Sequence, residues 1–197
     1  MTKHKNKKEQ SFHLMSDSNR TVAVSKFLSL ILRHSPGTIG LTLDQNGWAD
    51  IDELITRAAR HGKRITPELL REVVADNDKR RFAISDDGKR IRASQGHSVA
   101  GVDLALVPVT PPPVLYHGTA SRFTASIRDQ GLIPGSRHHV HLSADTATAI
   151  SVGQRHGVPV VLAVQAGALH EQGQQFYLSD NGVWLTGPVD KRFITFP

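Results

Sequence analysis

From Val24 the apolar residues recur at one-turn spacing. Val24, Phe27, Leu28 and Ile31 occupy i, i+3, i+4 and i+7, the stripe of an amphipathic helix. That helix is predicted to stop at about His34 or Ser35, because Pro36 disfavours helical geometry in the residue before it. Leu41 and Leu43 then alternate into Gly47 and Trp48, a short strand or extended turn. Asp50 has the place of an N-cap with Glu53 three residues on, a capping box before Ile51, Leu54, Ile55, Ala58 and Ala59, with Gly62 as the stop. Thr66 and Pro67 open a further helix with Leu69, Leu70, Val73 and Val74 on its buried face. Phe82 and Ile84, the turn Asp87-Gly88, and Ile91 and Ala93 form a hairpin signature. Three short helices followed by a hairpin predict a winged-helix arrangement.

Pro108 and the run Pro111, Pro112 and Pro113 interrupt this pattern. Neither a helix nor a central strand tolerates that density of proline, so a lobe boundary is expected there. Beyond it the signals are mostly those of strands: Val114 to Tyr116, the alternation around Val140 and Leu142, the apolar run Val158 to Val164, and the turn Asn181-Gly182. Ile127 and Leu132 frame a helix ending near Gly131. The second lobe is expected to be β-rich with two helices. The fold class is therefore α+β in two lobes. The expected divisions are a disordered basic tail at 1–20, a first lobe at 21–106, a proline-rich linker at 107–113 and a second lobe at 114–197.

Composition narrows the chemistry. The 197 residues include no cysteine, which excludes disulfides, thiolate nucleophiles and cysteine-ligated zinc. No apolar run approaches the roughly 18 residues of a membrane span, and no signal-peptide core follows the charged start. The expectation is a cytoplasmic protein with no membrane partner, and a monomer. Of the net charge of +6, half lies in residues 1–20, so the remainder is only mildly basic. Six cations crowd the predicted hairpin: Lys79, Arg80, Arg81, Lys89, Arg90 and Arg92. They read either as a solvated hairpin balanced by Asp86 and Asp87 or as a phosphate-contacting wing.

Two clusters carry candidate chemistry. Arg33 and His34 end the first helix, where a cation can simply complement the helix dipole. The second cluster is Arg137, His138, His139, Val140, His141, Leu142 and Ser143. On a strand, His139 and His141 share one face. A metal site would need another ligand, and Asp145 is the one nearby acid. The units His117-Gly118-Thr119 and His141-Leu142-Ser143 also fit a two-histidine phosphodiesterase. A dinucleotide site gripped by histidine and hydroxyl groups fits as well. Residues 106–197 hold one glutamate and four aspartates with no close pair, which disfavours glycosidase or two-metal chemistry. Neither a P-loop nor a glycine-rich dinucleotide fingerprint is present.

Seven segments occur in order: S-K-F-L-S-L-I-L-R-H-S-P from Ser25, G-W-A-D-I-D-E-L-I from Gly47, D-K-R-R-F from Asp78, R-A-S-Q-G-H-S from Arg92, L-Y-H-G-T from Leu115, R-H-H-V-H-L-S from Arg137 and N-G-V-W-L-T from Asn181. Together they resemble the RNA 2′-phosphotransferase family over about residues 21–197. The resemblance implies a winged-helix RNA lobe followed by an ADP-ribosyltransferase-like lobe that binds NAD. It implies removal of an internal RNA 2′-phosphate in tRNA processing, with NAD consumed and no metal. The phosphate attacks the nicotinamide ribose, nicotinamide leaves, and the ribose 2″-hydroxyl then frees the RNA as ADP-ribose 1″,2″-cyclic phosphate forms.

By motif, the family's catalytic residues fall on Arg33, His34, Arg81 and Arg137, Arg81 being the arginine directly before Phe82 and Arg80 its neighbour. NAD contacts fall on His117, Gly118 and Thr119 and on His141, Leu142 and Ser143, with further contacts expected from 176–183. Val183 stands where many protein-modifying ADP-ribosyltransferases have a glutamate, which argues against a protein acceptor. Arginines would neutralise the phosphate without competing as acceptors. Gly135 departs from the pattern, where a larger apolar residue is expected. A phosphodiesterase, a transferase acting on another acceptor and a non-catalytic winged-helix binder are the competing readings.

Overall fold

Helix α1 spans 19–33 and gives way at Pro36 to a 3-10 helix, Pro36–Ile39, closed by Gly40 at φ +66°. The structure, a computed structural model, describes residues 19–76 and 79–197. The expected tail lies outside the described residues as far as residue 18, and Asn19 and Arg20 are already helical. Asp78 of the D-K-R-R-F segment is likewise outside them.

The chain divides into two compact units. The first runs up to Ser94 and takes in Val99–Val102; the second comprises Gln95–Ser98 and Asp103–Pro197. In the first unit, α2 (Ile51–Arg60) and α3 (Pro67–Ala75) follow α1, and β1 (Ala49–Asp50), β2 (Phe82–Ile84) and β3 (Arg90–Ala93) form an antiparallel sheet in the order β1-β3-β2. The stripe on α1 is buried at Val24, Leu28, Ile31 and Leu32, which meet Leu54, Leu70 and Ile91 in one core. Asp50 caps α2 by accepting the Glu53 N–H at 2.8 Å. The capping box is half made, since the Glu53 carboxylate bonds Arg57 Nε at 2.6 Å and an (i, i+4) ion pair takes its place. Thr66 caps α3 through the Leu69 N–H. The hairpin forms as expected, with Gly88 at φ +71° in its turn. Of its six cations, Arg90 and Arg92 set their guanidiniums 5.5 and 4.7 Å from the Trp48 ring centre.

The second unit has two three-stranded antiparallel sheets. One has the order β4 (Leu115–Ala120), β6 (Pro159–Val164), β9 (Ile194–Thr195); the other is β5 (Val140–Leu142), β8 (Trp184–Thr186), β7 (Phe176–Leu178). A bridge between Tyr116 and Ser143 joins β4 to the end of β5. Its core gathers Leu115, Leu142, Leu162, Val164, Phe176 and Val189. Three α-helices are present where two were expected: α4 (Thr124–Gln130), α5 (Thr146–Gly153) and α6 (Ala166–Glu171). The last two are short, and α5 is rich in alanine and threonine, so neither shows a clear apolar stripe. The prolines at 111–113 lie inside this unit, with Pro111 buried and the Pro113 carbonyl accepting the Gly167 N–H at 3.0 Å. The fold is thus α+β with small sheets. Among the described residues no helix is long and apolar enough to cross a membrane.

Candidate functional site

The first-unit residues gather at the end of α1. Arg33 is its last helical residue and His34, exposed, begins the turn. The His34 and Ser35 N–H groups both reach back to the Leu30 carbonyl, which closes the helix and presents both side chains at its C-terminal end. The Arg33 Nη2 donates to the Arg81 carbonyl at 3.4 Å, so the Arg33 guanidinium lies against the backbone of the second candidate arginine. Arg81 also lines a cleft of about 280 Å³ with Thr21, Ser25, Asp76 and Lys79. Its neighbour Arg80 is exposed and holds a left-handed backbone at φ +40°.

The second unit carries Arg137 and the histidines. Arg137 is exposed in the loop before β5, with its N–H toward the Pro134 carbonyl at 3.3 Å. The His117 Nδ1 lies 3.0 Å from the His141 carbonyl. A carbonyl can only accept, so Nδ1 carries the proton and Nε2 is left as an acceptor. Burial pushes the pKa of His117 down, against the smaller opposing effect of that hydrogen bond. His141 is held from the other side, its Nε2 lying 2.8 Å from the Gln95 Oε1. His139 packs edge-on to Tyr177 at 5.6 Å between ring centres, and burial also lowers its pKa.

A cavity of about 440 Å³ opens beside β4, with His117, Thr119, Ser126 and Gln130 as polar lining and Phe123 and Ile133 among its apolar residues. Its lining residues include no carboxylate. The six expected cofactor residues separate by strand alternation. His117 and Thr119 line the cavity, whereas Gly118 is pressed against α5 and Leu142 is buried in the core. A Cβ at Gly118 would collide with the Ala149 backbone. This glycine therefore permits close helix–strand packing. Ser143 is engaged through its backbone, in mutual hydrogen bonds with Tyr116. Of the 176–183 segment, Phe176 is core and Tyr177 meets His139.

Asp145, the acid considered as a metal ligand, instead caps α5, accepting the Thr148 N–H at 2.7 Å and the Thr148 hydroxyl at 2.8 Å. Those bonds hold its carboxyl below the usual range. Gly135, where a larger apolar residue was expected, lines the cavity at φ +66°, a conformation in which such a residue would be strained. Sequence reasoning gave no role to Phe123, Ser126 or Gln130, which sit in a segment without a motif. Gln95 belongs to the R-A-S-Q-G-H-S segment but carries no signal of its own.

Comparison with known proteins covers nearly the whole chain. A probable RNA 2′-phosphotransferase of Rhodopirellula baltica is 57% identical over 183 residues, 93% of this chain and all of that protein. One from Pseudomonas aeruginosa is 61% identical over 170 residues, 86% of this chain and 93% of its own. One from Agrobacterium fabrum is 56% identical over 175 residues, 89% of this chain and 94% of its own. With residues 19–187 matching the family described as RNA 2′-phosphotransferase, Tpt1 / KptA family, the chain belongs to that family.

Proposed function

We propose that this protein removes an internal 2′-phosphate from RNA with consumption of NAD. The observation that carries the reading furthest is the hydrogen bond from the Arg33 guanidinium to the Arg81 carbonyl. It sets the guanidinium of Arg33, one residue before His34 in the chain, against the Arg81 backbone, and so supports a reading of these three as groups for a phosphate dianion. A 2′-phosphate is already an anion, so its attack needs no general base, in keeping with a second unit poor in paired carboxylates. What the attack needs is neutralised charge and fixed orientation. Arg33 and Arg81 of the first unit and Arg137 of the second are assigned to that neutralisation. His34 is assigned to the later proton transfer, which an RNA alkoxide leaving group and an attacking ribose hydroxyl require.

The cavity in the second unit suits the sugar and ring systems of NAD. It offers a neutral histidine acceptor at His117, hydroxyls at Thr119 and Ser126, an amide at Gln130 and apolar surface at Phe123 and Ile133. Those residues would hold NAD, which supplies an electrophilic ribose carbon with nicotinamide as its leaving group. The helices α1 to α3 with the β2–β3 hairpin support a winged-helix reading of the first unit. The two sets of three antiparallel strands support an ADP-ribosyltransferase-like reading of the second.

The test is a short RNA with one internal 2′-phosphate, incubated with the protein with and without NAD, products resolved by mass. Loss of the phosphate only with NAD, together with nicotinamide and ADP-ribose cyclic phosphate, is the expected result. No turnover at high enzyme would overturn it. NAD-independent opening of a 2′,3′-cyclic phosphate would favour the phosphodiesterase instead.

A further inference from the structure

Arg81 sits directly after a residue that most side chains would avoid. Arg80 has φ +40°, in the left-handed region where a residue with a Cβ is strained and is held only when its surroundings require it. Ser94 holds this backbone twice. Its hydroxyl donates to the Arg80 carbonyl at 2.6 Å, and its N–H donates to the Arg81 carbonyl at 2.9 Å. Ser94 is 3% exposed and follows β3, whose Ala93 pairs with Phe82 of β2. The backbone bond simply extends that ladder by one step. The hydroxyl bond is additional, and it is the one that reaches the strained residue. The Arg81 carbonyl also accepts from Arg33 Nη2, so a single buried serine braces the backbone that orients both arginines.

We propose that Ser94 is a positioning residue for phosphoryl transfer: its hydroxyl locks the left-handed turn at Arg80 and so sets the direction of Arg81 and the seat of Arg33. The proposal rests on the reading of Arg33 and Arg81 as phosphate-binding groups. Ser94 touches no reacting atom and acts through the backbone. Arg80 enters the proposal through its backbone conformation.

The test is steady-state kinetics on 2′-phosphorylated RNA for Ser94→Ala, Arg80→Gly and the double variant, with thermal unfolding of each. Ser94→Ala should lose on the order of tenfold in kcat, the worth of one buried hydrogen bond. Its KM for NAD should stay within about twofold, because uniform binding of NAD is not what the serine supports. Glycine adopts positive φ without steric cost. Arg80→Gly also removes one cation of the hairpin, so it serves as its own reference, and in the Ser94→Ala background it should restore kcat to that reference. A serine that merely stabilised the fold would lower the unfolding temperature without a kcat loss that glycine repairs. Native kcat in Ser94→Ala, or a loss that Arg80→Gly fails to restore, overturns the proposal. Arg81→Ala is the separate control: full activity there would sink the phosphate-binding reading itself.

Discussion

Replacing Gly118 by alanine should damage the fold of the second unit more than its affinity for a ligand. The new Cβ would stand 2.6 Å from the Ala149 carbonyl carbon and 3.0 Å from its Cα, with the carbonyl oxygen closer still. Comfortable contact between such atoms begins near 3.5 Å, so to clear the carbonyl oxygen α5 would have to retreat by roughly 1.5 Å. That retreat is resisted at the far end of the helix. Gly153 packs so closely there that a Cβ on it would be 2.5 Å from the Thr119 carbonyl oxygen. Overpacking costs about 1–3 kcal/mol, and backbone obstacles, which cannot swing aside as a side chain can, belong at the upper end. For a unit of about a hundred residues, 3 kcal/mol lowers Tm by roughly 12–24 °C. The assay is thermal unfolding followed by circular dichroism, beside Gly187→Ala. Gly187 has open space around its Cβ direction and an ordinary φ, so that variant should melt within a few degrees of native. A Gly118→Ala protein that melts like native yet binds NAD poorly would refute the packing argument and return Gly118 to the ligand site.

Arg33→Ala and Arg81→Ala should each lose on the order of 10²–10³ in kcat, by analogy with removal of one oxyanion donor; full activity in single-turnover assays of both would dismantle the site. Burial lowers the pKa of His117 below its ordinary 6.5. The unfolded chain therefore binds more protons near and below that value, and stability should fall as pH drops from about 6.5 toward the folded-state value. His117→Asn, an amide that still donates to the His141 carbonyl, should flatten this dependence in urea titrations between pH 7 and 5; an unchanged slope would count against His117 as its source. Gln95→Leu removes the acceptor that faces His141 Nε2. It should weaken NAD binding in calorimetry about tenfold, the cost of one buried partner lost, and native affinity would show that the orientation of His141 is set elsewhere.

Much of the first unit was legible in the sequence because its signals act within a turn or two. The α1 stripe, the Asp50 and Thr66 caps and the Asp87-Gly88 turn each depend on residues a few positions apart. Of the two helices expected in the second unit only α4 could be located, since the six or eight residues of α6 and α5, rich in alanine, carry too little periodicity to place them. The chemistry-bearing segments were recognisable as a family resemblance, whereas Phe123, Ser126 and Gln130 of the cavity lay in a segment without a motif.

The sequence by itself determined where helices and hairpins begin and end, and which arginines and histidines were available for chemistry. Only the tertiary structure decided how those groups divide their labour. Strand alternation sends His117 and Thr119 to a cavity and Gly118 to a helix. Segments distant in sequence put the His141 carbonyl on His117 and the Gln95 amide on His141. A serine fourteen residues away from Arg80 sets the backbone that carries Arg81. Local signals depend on near neighbours and survive in the bare sequence. A side chain's partner depends on which distant segment the fold brings beside it, and no local pattern specifies that.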